Sequence, residues 1–181
     1  TDDPPRGEVC FWGPAIMKGY YKNPEKTSEA FHGDWLLSGD VGMVLPNGNI
    51  KIIDRAKNIF KLSQGEYIAP EKLEGVYIQS SYVSQVWIYG DSLRDHIVGF
   101  FVIDPEISKR FSADITNEQL NAEKEFKQEV YDDLIRLAVA NKFNSLEKPK
   151  QIYLLKDAFT VENDFLTPTM KTKRNIAKKK L

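Results

Sequence analysis

Between residues 8 and 53 the apolar positions come in short bursts interrupted by turn formers. Glu8-Val9-Cys10-Phe11-Trp12, Trp35-Leu36-Leu37, Val41 to Leu45 and Asn49 to Ile53 read as short strands, with Gly7, Gly13, Pro14, Gly19, Gly33, Gly39, Gly42, Pro46 and Gly48 punctuating them. Pro46-Asn47-Gly48-Asn49 predicts a hairpin turn, because Asn-Gly tolerates positive φ. Asn23 as N-cap and Pro24 at the first helical position predict a short helix reaching Phe31. About 55 residues of strand and turn bury too little surface to stand alone. The segment therefore predicts part of a sheet whose other strands lie elsewhere, outside these residues or later in the chain.

From Asp54 onward the pattern lengthens. Asn58 to Leu62 is a short strand candidate, and Ser63-Gln64-Gly65-Glu66 a loop. Pro70 to Gln79 predicts a helix that places Leu73, Val76 and Tyr77 on one face. Tyr82 to Tyr89 reads as a strand, and the unbroken apolar run Ile97 to Ile103 as a buried one, ended by Asp104-Pro105. Thr116 with Gln119 is a capping box opening the longest helix, which carries Phe126, Val130, Leu134, Leu137 and Val139 to about Asn141, with a break near Asn121. Lys150 to Leu155 is a last strand, and Lys156 to Thr169 has no periodicity. Helix and strand mixed in this way predict an α+β domain of roughly 120 residues.

Composition narrows the class. The chain has 181 residues, 41% apolar and 28% charged, which is a globular balance. At about 150 residues per domain it holds one domain, or a small one with a piece of another. No apolar run approaches the ~20 residues of a membrane span. The opening Thr1-Asp2-Asp3-Pro4-Pro5-Arg6 lacks the basic and apolar regions of a signal peptide. One cysteine, Cys10, excludes an internal disulfide, and two histidines make a histidine-based zinc site improbable. The net charge of −1 is uneven: residues 171–181 hold six bases and no acid, leaving 19 bases against 26 acids before them. An acidic body with a short basic tail is not the wide basic face that duplex DNA requires, so no nucleic-acid partner is expected. The tail reads either as a solvated, frayed end or as a contact for a phosphorylated ligand or a membrane surface.

Four features can carry chemistry, each with a plainer reading. Ser38-Gly39-Asp40, placed in a turn between extended runs, presents a carboxylate that can accept two hydrogen bonds from a vicinal diol; an Asp closing an Asx-turn fits as well. Asp54-Arg55-Ala56-Lys57 offers an arginine fork for ribose or phosphate and a lysine at a hinge position, or is an exposed charged turn. Lys61 to Tyr67 is a loop with one glycine, weak evidence for an anion or a narrow ligand channel. Thr167 to Arg174 can deliver a lysine as a point charge, or is a floppy cationic end. No Ser/His/Asp set and no metal-ligand spacing is present.

In order and spacing these pieces resemble the C-terminal portion of the adenylate-forming enzymes, and within them the eukaryotic long-chain fatty acid–CoA ligases. The resemblance rests on Gly7-Glu8-Val9 with Gly13-Pro14; Met17-Lys18-Gly19-Tyr20-Tyr21-Lys22-Asn23-Pro24; Trp35-Leu36-Leu37-Ser38-Gly39-Asp40; Ile52-Ile53-Asp54-Arg55; Asn58 to Leu62 running into Gln64-Gly65-Glu66-Tyr67-Ile68-Ala69-Pro70-Glu71-Lys72-Leu73-Glu74; and Leu166-Thr167-Pro168-Thr169-Met170-Lys171 with Lys173-Arg174. It covers essentially the whole chain. Gly33-Asp34-Trp35 inverts the usual Asp-Gly-Trp, Ser38 stands where Thr is commoner, Ala56 where Lys is frequent, and Met170 where other branches have Gly.

The resemblance implies a two-step reaction. ATP and a fatty acid give an acyl-adenylate and pyrophosphate, and coenzyme A thiol then displaces AMP. It implies that Asp40 holds the ribose hydroxyls with help from Arg55, that Lys57 is the hinge, and that Lys171 stabilises charge during adenylation. After a swing of the lid, the loop of Lys61, Gln64, Gly65 and Glu66 enters the coenzyme A tunnel. Residues 1–55 are expected to be the C-terminal end of a large AMP-binding domain and residues 56–181 a small C-terminal lid. The phosphate loop, adenine wall, acyl tunnel and Mg2+ ligands are expected in a missing N-terminal domain, so the fragment alone is expected to be inactive and soluble. The alternatives are a ligase for another carboxylic acid and a non-catalytic nucleotide-binding module. The parent family implies the cytosolic face of an endoplasmic-reticulum, mitochondrial or peroxisomal membrane, attached through segments not present. Lys178-Lys179-Lys180-Leu181 resembles a dilysine retrieval signal, and less well a peroxisomal address, provided that Leu181 is the true terminus.

Overall fold

The structure, a computed structural model, describes residues 5–181; residues 1–4, part of the opening stretch without signal-peptide features, lie outside the described residues. The chain divides into two compact units, Thr1–Ile59 and Phe60–Leu181. In the first, β1 (Arg6–Phe11), α1 (Pro24–Glu29), β2 (Phe31–His32), β3 (Trp35–Val44) and β4 (Ile50–Arg55) build an antiparallel sheet in which β3 pairs with the other three strands. The Asn23 side chain accepts the Lys26 amide at 3.0 Å, so the predicted cap forms, although the helix stops at Glu29. The predicted hairpin turn forms between β3 and β4, with Gly48 at φ 82°.

One expectation fails here. Trp35–Leu37 and Val41–Val44 belong to one ten-residue strand that stops before Leu45, and Ser38-Gly39-Asp40 is a bulge inside it rather than a turn between two. Glu8 pairs with Val41 and Cys10 with Leu37, so three residues of β3 face Val9 alone. Gly39, at φ 73°, makes the bulge sterically possible.

The second unit contains β5 (Phe60–Lys61), β6 (Tyr67–Ile68), α2 (Pro70–Tyr77), β7 (Val83–Gly90), β8 (Ile97–Ile103), α3 (Pro105–Ser108), α4 (Asn117–Ala122), α5 (Lys124–Ala140), β9 (Gln151–Leu155) and α6 (Arg174–Lys180). β5 and β6 form a small hairpin; β7, β8 and β9 form a sheet with β8 central, antiparallel to β7 and parallel to β9. Both faces of β8 are covered, which explains its unbroken apolar run. Phe101 and Ile103 look into a core with Leu73, Tyr77, Val130, Leu134 and Leu154, while Phe100 and Val102 look into a second cluster with Trp87, Leu155, Leu166 and Ala177. The capping box is complete: the Thr116 amide donates to Gln119 Oε1 at 2.9 Å and the Gln119 amide to Thr116 Oγ1 at 3.3 Å. The break in the long helix falls at Glu123.

Two further readings are corrected. Val139 is exposed, and Ala138 takes the inward place beside Leu134 and Leu137. The basic tail is not a frayed end: residues 174–180 are helical, and Ala177 anchors them in the second cluster.

Candidate functional site

The predicted site residues fall into three groups. The first is built on the β3 bulge. Gly39 N–H donates to Glu8 Oε1 at 2.8 Å, and its carbonyl accepts from the Ala56 amide at 2.8 Å. Asp40 and Arg55 are directly opposite in the β3–β4 register. Arg55 Nη1 lies 3.1 Å from Asp40 Oδ1 and donates to the Ser38 carbonyl at 3.1 Å. A Cβ on Gly39 would come within 3.2 Å of that guanidinium nitrogen, a tight approach that the Arg55 side chain would have to give way to, so the demand for glycine rests on φ. Both charged groups remain partly open to solvent, leaving the Asp40 carboxylate held on a stiff frame with lone pairs to spare. Lys57 is exposed in the turn that follows β4, two residues before the division between the units.

The second group is the β5–β6 hairpin, where Lys61, Gln64, Gly65 and Glu66 sit on one tight turn. Leu62 N–H donates to the Glu66 carbonyl at 2.8 Å, Gly65 adopts φ 93°, and buried Leu62 roots the turn in the core. Gln64 Nε2 donates to the Asp95 carbonyl at 3.0 Å, and Ser63 N–H to the Arg94 carbonyl at 2.9 Å, tying the hairpin to the β7–β8 connection. Lys61 Nζ lies 5.5 Å from the Tyr67 ring centre.

The third group is the Lys171 hairpin. Thr167 N–H donates to the Lys171 carbonyl, Met170 N–H to the Thr167 carbonyl, both at 2.8 Å, and Lys171 N–H to Thr167 Oγ1 at 3.1 Å. Leu166 and Thr172 close the loop with an antiparallel bridge. Met170 takes φ 61°, a left-handed conformation that costs an L-residue about 1–2 kcal/mol; this is where other branches of the resembled family carry glycine. Lys171 is exposed, and its ammonium makes no hydrogen bond or ion pair among the described residues. The next two cations are engaged: Lys173 with Asp164 and Arg174 with Glu74, both at 2.6 Å. No hydrogen bond or ion pair among the described residues joins Lys171 to the Lys61 hairpin.

Glu74 and Arg174 both stand in the motifs that carry the resemblance, but their pairing was not read from the sequence. Glu74 Oε1 accepts the Ile88 amide at 2.8 Å while Arg174 holds Oε2, which ties α2, β7 and the start of α6 together three residues after Lys171. Burial outweighs the guanidinium and the Ile88 amide and pushes the Glu74 carboxyl up to about 7. The signal was readable: Glu74 falls four residues after Pro70, on the stripe where Leu73 and Tyr77 are buried. Among the described residues no three His, Cys, Asp or Glu side chains gather as a metal site, and no helix is long and apolar enough to cross a membrane.

The fold that carries these three groups is similar to that of solved adenylation domains. The adenylation domain of a carboxylate reductase from Mycobacterium chelonae superposes with a TM-score of 0.85 at 33% identity, over 99% of this chain and 27% of that one. That of Segniliparus rugosus, solved with AMP and a co-purified carboxylic acid, gives 0.83 at 35% identity, again over 99% and 27%. The fold is that of the adenylate-forming enzymes. No family model matches the chain. In sequence it is 46% identical to mouse long-chain-fatty-acid–CoA ligase 6 over 173 residues, and 47% identical to the peroxisomal long chain acyl-CoA synthetase 7 of Arabidopsis thaliana over 180 residues. These matches take in 93% and 96% of the chain but only 25% and 26% of the two relatives. The chain belongs to the long-chain fatty acid–CoA ligase family and spans about a quarter of its curated relatives' length.

Proposed function

We propose that these residues are the C-terminal portion of an AMP-forming long-chain fatty acid–CoA ligase. Residues 1–55 then end the large nucleotide-binding domain, and residues 56–181 form a lid turning about Lys57. The observation that carries the reading is the state of Lys171: an exposed ammonium without a partner among the described residues, on a closed hairpin and followed by two cations that are already paired. A point charge kept free but precisely placed suits a site that it must enter and leave.

In the adenylation step the fatty carboxylate attacks the α-phosphorus of ATP and pyrophosphate departs. Asp40, oriented by Arg55, accepts the ribose hydroxyls, and the Lys171 ammonium neutralises charge growing between carboxylate and α-phosphate. In the second step coenzyme A thiolate displaces AMP, with the Lys61, Gln64, Gly65 and Glu66 hairpin lining the thiol's path. Mg2+ would neutralise the triphosphate, and its ligands belong to the rest of the parent. A retired nucleotide-binding module has no physical reason to keep Asp40, Arg55 and Lys171 together. A membrane-associated parent, at the endoplasmic reticulum, mitochondrion or peroxisome, fits the family, and the Arabidopsis relative is named as peroxisomal. Fusing the chain to the preceding part of a long-chain relative is expected to restore ATP–pyrophosphate exchange with palmitate; a folded, soluble fusion without exchange contradicts the reading.

A further inference from the structure

Between α5 and the edge strand β9 lies an open groove of about 690 Å3. Lys124, Lys127, Gln128 and Tyr131 line it from the helix, at the spacing that puts four side chains on one stripe, and Lys150 and Tyr153 line it from the β9 side. No acidic side chain lines it. It shares no residue with the three groups described above, so the inference does not rest on the ligase reading.

The strand edge beside the groove is partly closed. Asn121 imitates a neighbouring strand, donating to the Leu154 carbonyl at 2.7 Å and accepting the Leu154 amide at 3.0 Å, and Asn117 accepts the Lys156 amide at 2.9 Å. The groove opens next to that closure. Two lining groups have acidic neighbours: Lys150 lies 3.2 Å from Asp95, whose carboxylate also contacts His96, and Gln128 donates to Asp132 at 2.7 Å. Lys124 and Lys127 have no hydrogen bond or ion pair among the described residues. Lys127 is half-buried, with its ammonium 5.5 Å from the centre of the Tyr153 ring, and that ring stacks on Phe100 at 5.2 Å. Partial loss of water pulls the Lys127 pKa down with no carboxylate to oppose it. An ammonium in that position is left for an external anion to answer.

We propose that this groove binds the phosphate group of a phosphorylated ligand, with Lys124, Lys127 and Lys150 converging on it. Two ammonium groups of α5 without a partner among the described residues, with Lys150 shared with Asp95 across the groove, match a group with up to two charges and three equivalent oxygens better than they match one carboxylate. The volume of the groove leaves room for the remainder of the ligand beside Tyr131 and Tyr153.

The test uses the 181-residue chain, 15N-labelled and titrated with inorganic pyrophosphate at constant ionic strength. Saturable shifts confined to residues 124–131 and 150–153 are expected. The Lys124→Glu/Lys127→Glu double variant should weaken binding by about tenfold or more, and Lys127→Gln, which keeps the packing, by less. A Lys178→Glu/Lys179→Glu variant should bind like the parent. Flotation with phosphatidylcholine vesicles, with and without phosphatidic acid, separates the two sources of phosphate. Retention that depends on phosphatidic acid and is lost in the double variant assigns a lipid headgroup; saturable pyrophosphate binding without retention assigns a soluble ligand. Shifts spread evenly over the basic tail, no saturation, or unchanged affinity in the folded double variant overturns the proposal.

Discussion

Residues 60–181 bury Tyr77, Phe101, Leu134 and Leu154 completely, whereas of the described residues before them only Gly42 and Asp54 are buried. The first unit instead leaves Trp12, Trp35, Ile50 and Ile52 half or more open to water, and Phe11 nearly so. Both units are rich in apolar residues and hydrogen-bonded strands, so hydrogen bonding does not separate them. The second covers both faces of its sheet; the first has a sheet with little packed on it. Large exposed apolar patches mark surfaces made to be covered, in keeping with a chain spanning a quarter of its relatives' length. The lesson is that a site can be framed by backbone geometry alone: the Asp40–Arg55 pair sits on a bulge and a register, not on a core.

That contrast makes graded predictions. Phe101→Ala should cost about 3–5 kcal/mol in urea unfolding of the second unit, since its ring lies in a filled core against Tyr77. A loss below about 1 kcal/mol would mean that the core is loose and the contrast false. Glu74→Gln tests the buried link to α6. Between about 4.5, its ordinary value, and about 7 the folded chain holds a proton that the unfolded chain has released, so the stability due to Glu74 falls as pH rises through that window. The urea midpoint of the parent relative to Glu74→Gln should therefore drop from pH 5 to pH 8; a flat or rising difference counts against the burial argument. Thr116→Ala removes one half of the capping box and should cost about 1 kcal/mol, with Thr116→Ser restoring most of it. Ile52→Ala, in the first unit, should change stability by less than about 0.5 kcal/mol; an effect equal to that of Phe101→Ala would erase the distinction between the units.

Much of the second unit was legible because its signals are long or chemically specific. Ile97–Ile103 is apolar on both faces and has the same limits in the structure. The Thr116–Gln119 box and the Asn23 cap name their partners outright. β2 and β6, at two residues each, are too short to make a period. β3 was split because Gly39 looks like a turn former when its φ is in fact spent inside a strand. The α6 helix was hidden by its lysines, which leave only Ile176 and Ala177 as apolar contacts. The motifs named the candidate residues, but not the pairing of Asp40 with Arg55, which a bulged register decides, nor the engagement of Lys173 and Arg174 that leaves Lys171 free among the described residues.

The half-reactions of the parent enzyme carrying Lys171→Ala test the central claim most directly. ATP–pyrophosphate exchange with palmitate should fall by about 100-fold or more, while thioester formation from preformed acyl-adenylate and coenzyme A stays within a few-fold of the parent. Equal losses in both steps, or exchange at the parental rate, would show that the free ammonium on the Lys171 hairpin does not act in adenylation.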